Sequence, residues 1–175
     1  MRIIYFALVL ALTCPLAVDF FKLFRTVPAM AEASQRADFI LVEKSQRKLT
    51  LYKNQIAIQS YQVALGSQPV GSKQKEGDGR TPEGDYTIDF KHPKSQFHFA
   101  LRLSYPSKAE QGLAASNGYS AGSDIMIHGI RNGFGFIGSQ HRRFDWTDGC
   151  IAVTNEEIED IWHYVDLGTT IRIVP

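Results

Sequence analysis

Two residues of this 175-residue chain have types and spacing suited to covalent chemistry. His128 closes the apolar run Ile125-Met126-Ile127 and is followed by Gly129. Cys150 follows the short polar run Trp146-Thr147-Asp148-Gly149 and leads back into the apolar Ile151-Ala152-Val153. The two stand 22 positions apart, enough for a strand, a loop and a return. If the two strand ends are adjacent, the imidazole takes the thiol proton and the thiolate is a nucleophile. Gly149 permits a tight turn, so the Gly149 and Cys150 amides are candidate donors to a developing oxyanion. His141, nine residues before Cys150, is a rival base. His128 is preferred because it ends a strand and precedes a glycine, whereas His141-Arg142-Arg143 reads as exposed.

The elements that must position this pair are mostly strands. Phe39-Ile40-Leu41-Val42 and Leu49-Thr50-Leu51-Tyr52 flank a polar turn, a hairpin pattern. Ile56 to Ile58, Tyr61 to Leu65, Tyr86 to Phe90 and Phe97 to Leu103 continue the series. Gly66 to Arg80 reads as a long polar surface loop, with no GK[ST] to make it a phosphate cradle. Ser107 with Glu110, and Thr154 with Glu157, each have the spacing of a helix capping box. After Thr154, the residues Ile158, Ile161, Trp162 and Val165 recur on one helical face, with Trp162 expected in the core. Thr169 to Val174 is a final β-branched strand. The pattern predicts a mainly β domain over residues 37–175, an all-β sandwich or open barrel with one or two helices.

Composition agrees with one globular domain: 44% of residues are apolar and 21% charged. A net charge of +1 offers no basic excess for nucleic acid. The five histidines are scattered, so the sequence presents no metal cluster. Residues 1–31 are expected to lie outside the fold. Arg2 precedes an uncharged apolar run from Ile3 to Val18, short for a membrane span but suited to a secretory segment. Ala29-Met30-Ala31 is a candidate cleavage site, and the alternative is an uncleaved N-terminal anchor. Either way the domain is expected to be exported, to the periplasm or cell envelope. Cys14 lies inside the apolar run, so the exported domain carries one thiol, Cys150, with no disulfide partner.

At these residues the chain resembles the L,D-transpeptidase (YkuD-type) catalytic domain family. Its His-Gly, variable loop and Ser/Thr-x-Gly-Cys-Ile/Val pattern stands here as His128-Gly129 and Thr147-Asp148-Gly149-Cys150-Ile151. Upstream, Val42 to Tyr52, Val63 to Gly66 and Gly79-Arg80-Thr81-Pro82-Glu83-Gly84-Asp85-Tyr86 match further landmarks in order. The resemblance implies a β-sandwich fold and an enzyme acting on peptidoglycan stem peptides through a Cys150 thioester, with no cofactor. It also implies that the Gly129 carbonyl orients the His128 imidazole. Candidate substrate contacts are Thr147, Asp148, Arg131 and Trp146, with Thr147 equally suited to bracing its loop.

Two departures stand out. Asp148 replaces a frequent histidine, and Ala152 replaces a frequent arginine. A carboxylate aimed at the thiol would raise its pKa, so Asp148 is expected to turn away toward a substrate amine or an arginine of the Arg131 to Asp145 flap. Arg131, Arg142 and Arg143 are the candidate replacements for the missing arginine. The acceptor of the acyl group is a second stem peptide, a protein amine or water. Water would make the enzyme an L,D-carboxypeptidase, and an amidase releasing a wall-bound protein is a further alternative. A zinc site from His128, His141, Asp148 and Cys150 and a catalytically silent wall-binding module are the readings of other classes. A papain-like order is disfavoured because there Cys precedes His.

Overall fold

The computed structural model describes residues 26–175. The apolar run from Ile3 to Val18, with Cys14, lies outside the described residues. Eight strands form one mixed sheet: β1 (Phe39–Glu43), β2 (Lys48–Lys53), β3 (Ile56–Gln62), β4 (Gly84–Ser95), β5 (His98–Leu103), β6 (Met126–His128), β7 (Ile151–Ala152) and β8 (Thr170–Val174). The spatial order is β3-β2-β1-β8-β4-β5-β6-β7. Two α-helices, α1 (Lys108–Ser116) and α2 (Asn155–Tyr164), and a 3-10 segment, Gly135–Arg143, accompany them.

Alternation explains the strands nearest the core. Ile40 and Val42 of β1, Leu49 and Leu51 of β2, and Ile171 and Ile173 of β8 are buried, while Arg172 between the last two is exposed. β1 pairs antiparallel with β2 and parallel with β8. β4 is long and carries register shifts after Ile88 and His92, so it pairs with β8 near its start and β5 farther on. Such bulges bend a strand, and β4 thereby carries the sheet around a corner. Past β3, Ala64 exchanges both backbone hydrogen bonds with Ala152 of β7, at 2.9 and 2.8 Å. The two ends of the strand order therefore touch, and the sheet curls toward closure as the sandwich or open-barrel expectation requires.

Both capping boxes form. Ser107 and Thr154 accept from the N3 amides of Glu110 and Glu157, and each glutamate accepts in return from the cap amide. α2 buries Ile158, Ile161 and Trp162 against the sheet, and Val165 just beyond it is fully buried. Trp162 packs on Phe99 with ring centroids 5.1 Å apart.

The expectation that residues up to 31 lie outside the fold is corrected at its C-terminal end. Ala31 is 3% exposed. Its amide donates to the His163 carbonyl at 2.8 Å, and the His163 ring bonds the Ala29 carbonyl. Lys91 reaches the Met30 sulfur and two carbonyls at the end of α2, Trp162 and Val165. Ala29 to Ala31 thus covers the C-terminal end of α2, whose last carbonyls need partners from outside the helix. Among the described residues no helix is long and apolar enough to cross a membrane.

Thr154 sits between the strand after Cys150 and α2, so its cap couples the two. Thr154→Ala should lower unfolding stability by about 1 kcal/mol, read as a lower urea midpoint with unchanged slope. A midpoint equal to that of the parent would show that packing alone holds this helix end.

Candidate active site

Ile127 of β6 pairs in parallel with Ile151 of β7, and His128 with Ala152. Both isoleucines are fully buried, and a one-residue slip would turn them out of the core, so the register is firmly set. Cys150, one residue before β7, then lies level with Met126. Met126 and His128 share a face because they are two apart, which makes Cys150 and His128 diagonal neighbours on that face. Both line one cavity of about 370 Å³, with Phe97, Met126, Trp146, Thr147 and Asp148 among its walls.

His128 is 4% exposed. Its Nδ1 donates to the Gly129 carbonyl at 2.7 Å, the arrangement that the family resemblance implies. A carbonyl can only accept, so Nδ1 carries the proton and Nε2 is left to receive one. Phe97 and Trp146 flank the ring, with centroids 4.6 and 5.8 Å away. Burial pushes the imidazole down to about 4, although the Gly129 carbonyl opposes this. Cys150 is half-buried, and its Sγ donates to the Asp124 carbonyl at 3.5 Å. Burial pushes the thiol up to about 11; a Met126 backbone hydrogen bond and Lys73 oppose the rise, while the Asp148 and Asp124 carboxylates add to it. The resting site is therefore a neutral thiol beside a neutral imidazole.

The turn before Cys150 is braced from within. The Thr147 hydroxyl donates to the Cys150 carbonyl at 2.7 Å and accepts from the Gly149 amide at 3.1 Å. Two expectations change as a result. Thr147, 4% exposed, spends its one hydroxyl proton on the turn and braces it. The Gly149 amide points into the turn, so of the two candidate oxyanion donors it is the one already engaged. Gly149 has φ +127°, and a Cβ there would lie 2.5 Å from the Arg80 carbonyl oxygen. Both the left-handed backbone and the close approach require glycine.

The partner in that approach is the loop after β3, which forms a wall of the site rather than a detached surface loop. Ser67 donates to the Thr147 carbonyl at 2.9 Å, and Thr147 donates to the Leu65 carbonyl at 3.1 Å. A Cβ on Gly66 would meet the Gly79 oxygen at 2.1 Å, so the loop's two limbs touch directly above the Cys150 turn.

The flap departs from its sequence reading. His141 is buried, 4% exposed, not exposed. It lies across Trp146 from His128: the indole Nε1 donates to His141 Nδ1 at 3.4 Å, and both imidazoles stand edge-on to the indole. Burial pushes His141 down to about 4, helped by Arg142 and opposed by Glu157. Arg131 and His141 line a separate apolar cavity of about 400 Å³ with Phe134, Ile137 and Phe144. Arg131 is therefore not brought to Cys150, whereas Trp146 walls both cavities. Arg142 bonds Glu157, and Arg143 is exposed. The expected pairing of Asp148 with a flap arginine does not occur: among the described residues Asp148 has no ion pair, and its exposed side chain lines the cavities on both sides of Cys150. Among the described residues, His128, His141, Asp148 and Cys150 do not gather into a group that could hold a metal ion.

Sequence reasoning missed Phe97, Met126, Asp124 and Lys73. Met126 could have been found by extending strand alternation onto the His128 face, whereas Phe97 has the parity of the core residues Phe99 and Leu101 and reaches the site only because His98, at φ 67°, breaks the alternation. Lys73 had no local signal within its polar loop.

The His-Gly strand end beside a braced Thr-x-Gly-Cys turn, on this curled mixed sheet, defines the class. A sequence model of the YkuD family, described as the L,D-transpeptidase catalytic domain, matches residues 37–173, and the chain belongs to that family. YafK of Escherichia coli (strain K12) is 28% identical over 133 residues, which are 73% of this chain and 46% of YafK. The helical cell shape determining protein Pgp2 of Campylobacter jejuni superposes with a TM-score of 0.58 at 22% identity, covering 89% of this chain and 54% of Pgp2. An L,D-transpeptidase of Mycobacterium smegmatis shares the fold at TM-score 0.53 and 12% identity, covering 79% of this chain and 59% of that one. The chain thus spans about half the length of the relatives it matches.

Both depressed histidines give a pH prediction with a definite sign. A folded-state value near 4 against an ordinary 6.5 means that the unfolded chain binds the extra protons. Their stabilising contribution is present above pH 6.5 and lost as pH falls toward 4. The thermal midpoint should drop across that window, and His141→Gln should flatten the drop. An unchanged slope in that variant would show that His141 titrates normally.

Proposed function

We propose that this chain is an exported cysteine L,D-transpeptidase acting on peptidoglycan stem peptides. The observation that carries the reading is the placement of the His128 imidazole and Cys150 thiol on the walls of one cavity, with Nδ1 pinned to Gly129. Sγ attacks the carbonyl of the bond between an L-centre and a terminal D-Ala. His128 Nε2 takes the thiol proton and then delivers it to the departing amine of D-Ala. The product is a thioester on Cys150. An acceptor amine attacks it, the carbon–sulfur bond breaks, and the amine's proton returns through His128 to the sulfur.

Because both groups rest uncharged, proton transfer accompanies attack rather than preceding it, and His128 acts as a general base at the moment of bond formation. The unpaired Asp148 carboxylate beside the sulfur suits an approaching amine, which favours an amine acceptor over water. Thr147 and Gly149 serve this chemistry by setting the turn, Trp146 by walling the cavity. Export rests on the apolar run from Ile3 to Val18, and the envelope is where such a substrate lies.

The test is incubation of the purified protein with muropeptides and mass analysis of the products. Cross-linked or amine-exchanged products are expected, and loss of D-Ala alone would identify a carboxypeptidase instead. Cys150→Ser should abolish turnover while leaving the fold intact, since an alcohol is far harder to deprotonate. Turnover retained in that variant would overturn the mechanism. His128→Gln should slow thioester formation by ~10²–10⁴-fold, and His141→Gln far less. Equal rates would mean that His128 is not the base.

A further inference from the structure

The loop between β3 and β4 carries a buried cation that the mechanism above leaves unused. Lys44 of the neighbouring hairpin staples the loop, donating to the Gly71 and Thr81 carbonyls and to Glu83, at 2.6, 3.0 and 2.7 Å. All three of its N–H groups are thereby occupied. Lys73 is different. Its side chain is 3% exposed, and its Nζ bonds Asp78 at 2.8 Å. It also donates to the Asp148 carbonyl at 3.5 Å, two residues before Cys150. With Cys150, Asp124 and Asp148 it lines a cavity of about 320 Å³ that His128 does not reach.

Asp78 is held where it is by more than Lys73. Burial opposes its ionisation, but the Gln74, Arg80 and Lys75 amides and the Lys73 ammonium keep its carboxyl near 2. The carboxylate is thus a fixed anchor that sets the ammonium beside the Cys150 turn. The charged and titratable groups facing the sulfur are Asp148, Asp124, Glu76 and Lys73 on this side, and His128 and His92 on the other. Lys73 favours the thiolate where the Asp148 and Asp124 carboxylates oppose it.

We propose that Lys73 is a positioning residue for the Cys150 thiol: its anchored ammonium holds the Asp148 carbonyl and offsets, at the sulfur, the Asp148 and Asp124 carboxylates. This assigns the departure at Asp148 a partner. A chain that places a carboxylate beside its nucleophile retains a reactive sulfur because a buried ammonium stands behind the same turn. The inference rests on reading Cys150 as the nucleophile, but its test needs no substrate.

The experiment is the rate of Cys150 modification by neutral iodoacetamide from pH 7 to 9.5, mapped by peptide mass on the full chain. Below the thiol pKa, each unit of upward shift slows alkylation about tenfold at every pH. Lys73→Gln keeps a donor for the Asp148 carbonyl and removes the charge. It should slow alkylation by roughly tenfold across the range, and adding Asp148→Asn should restore the rate to within about threefold, because each change offsets the other's charge. An unchanged rate in a folded Lys73→Gln protein, or no recovery in the double variant, overturns the proposal. Should Lys73→Gln fail to fold, Asp78→Asn carries the test: it removes the anchor that sets the ammonium beside the Cys150 turn and should slow alkylation, and an equal or faster rate overturns the proposal. A wild type that alkylates normally but leaves muropeptides untouched would instead overturn the proposed function.

Discussion

The parallel pairing of β6 with β7 is the contact on which the site depends. Two short strands, far apart in sequence, meet because Ile127 and Ile151 are both driven into the core. A parallel pair cannot be closed by a tight turn, so the chain between them must leave the sheet and return. That excursion is the flap. The same pairing is supported on its other edge by the Ala64–Ala152 hydrogen bonds and from beyond by α2, whose Thr154 cap follows β7 directly. Closure of the sheet, placement of the helix and juxtaposition of thiol and imidazole are therefore one packing event.

Burial serves the fold and works against ionisation. Burial at the cavity wall favours the uncharged form of both His128 and Cys150. What the site supplies in return is orientation. The Gly129 carbonyl fixes the tautomer, Phe97 and Trp146 fix the ring, and Thr147 fixes the turn that carries the sulfur. Trp146 has a second consequence. By standing between His128 and His141 it divides the space under the flap into two cavities, one facing the thiol and one apolar.

The loop after β3 shows how backbone contacts can replace side-chain pairing. Its Arg80 carbonyl packs directly against Gly149, and its Gly79 carbonyl against Gly66, at separations that admit no Cβ. Two buried lysines then tie the loop down, one to its own carbonyls and one across to the Cys150 turn. A segment far upstream in sequence thus contributes one of the charges near the sulfur, beside Asp148 and Asp124.

The sequence by itself determined what depends on near neighbours. Alternation marked the strands, since burying one face of a sheet needs period two. Three-residue spacings marked both capping boxes, since a cap bonds its own first turn. The order of His128-Gly129 and Thr147 to Ile151 marked the family and its pair of reactive residues. Tertiary structure alone decided the rest. His141 reads as exposed among charged neighbours, yet it is buried because Trp146 and the flap fold over it. Arg131 looks available, yet it faces the other cavity. The Gly149 amide turns inward because Thr147 competes for it, Ala29 to Ala31 joins the fold because the end of α2 offers unpaired carbonyls, and Lys73 reaches Cys150 only through loop packing. Each of these outcomes turns on which distant groups compete for one contact, and local residue pattern carries no record of that competition.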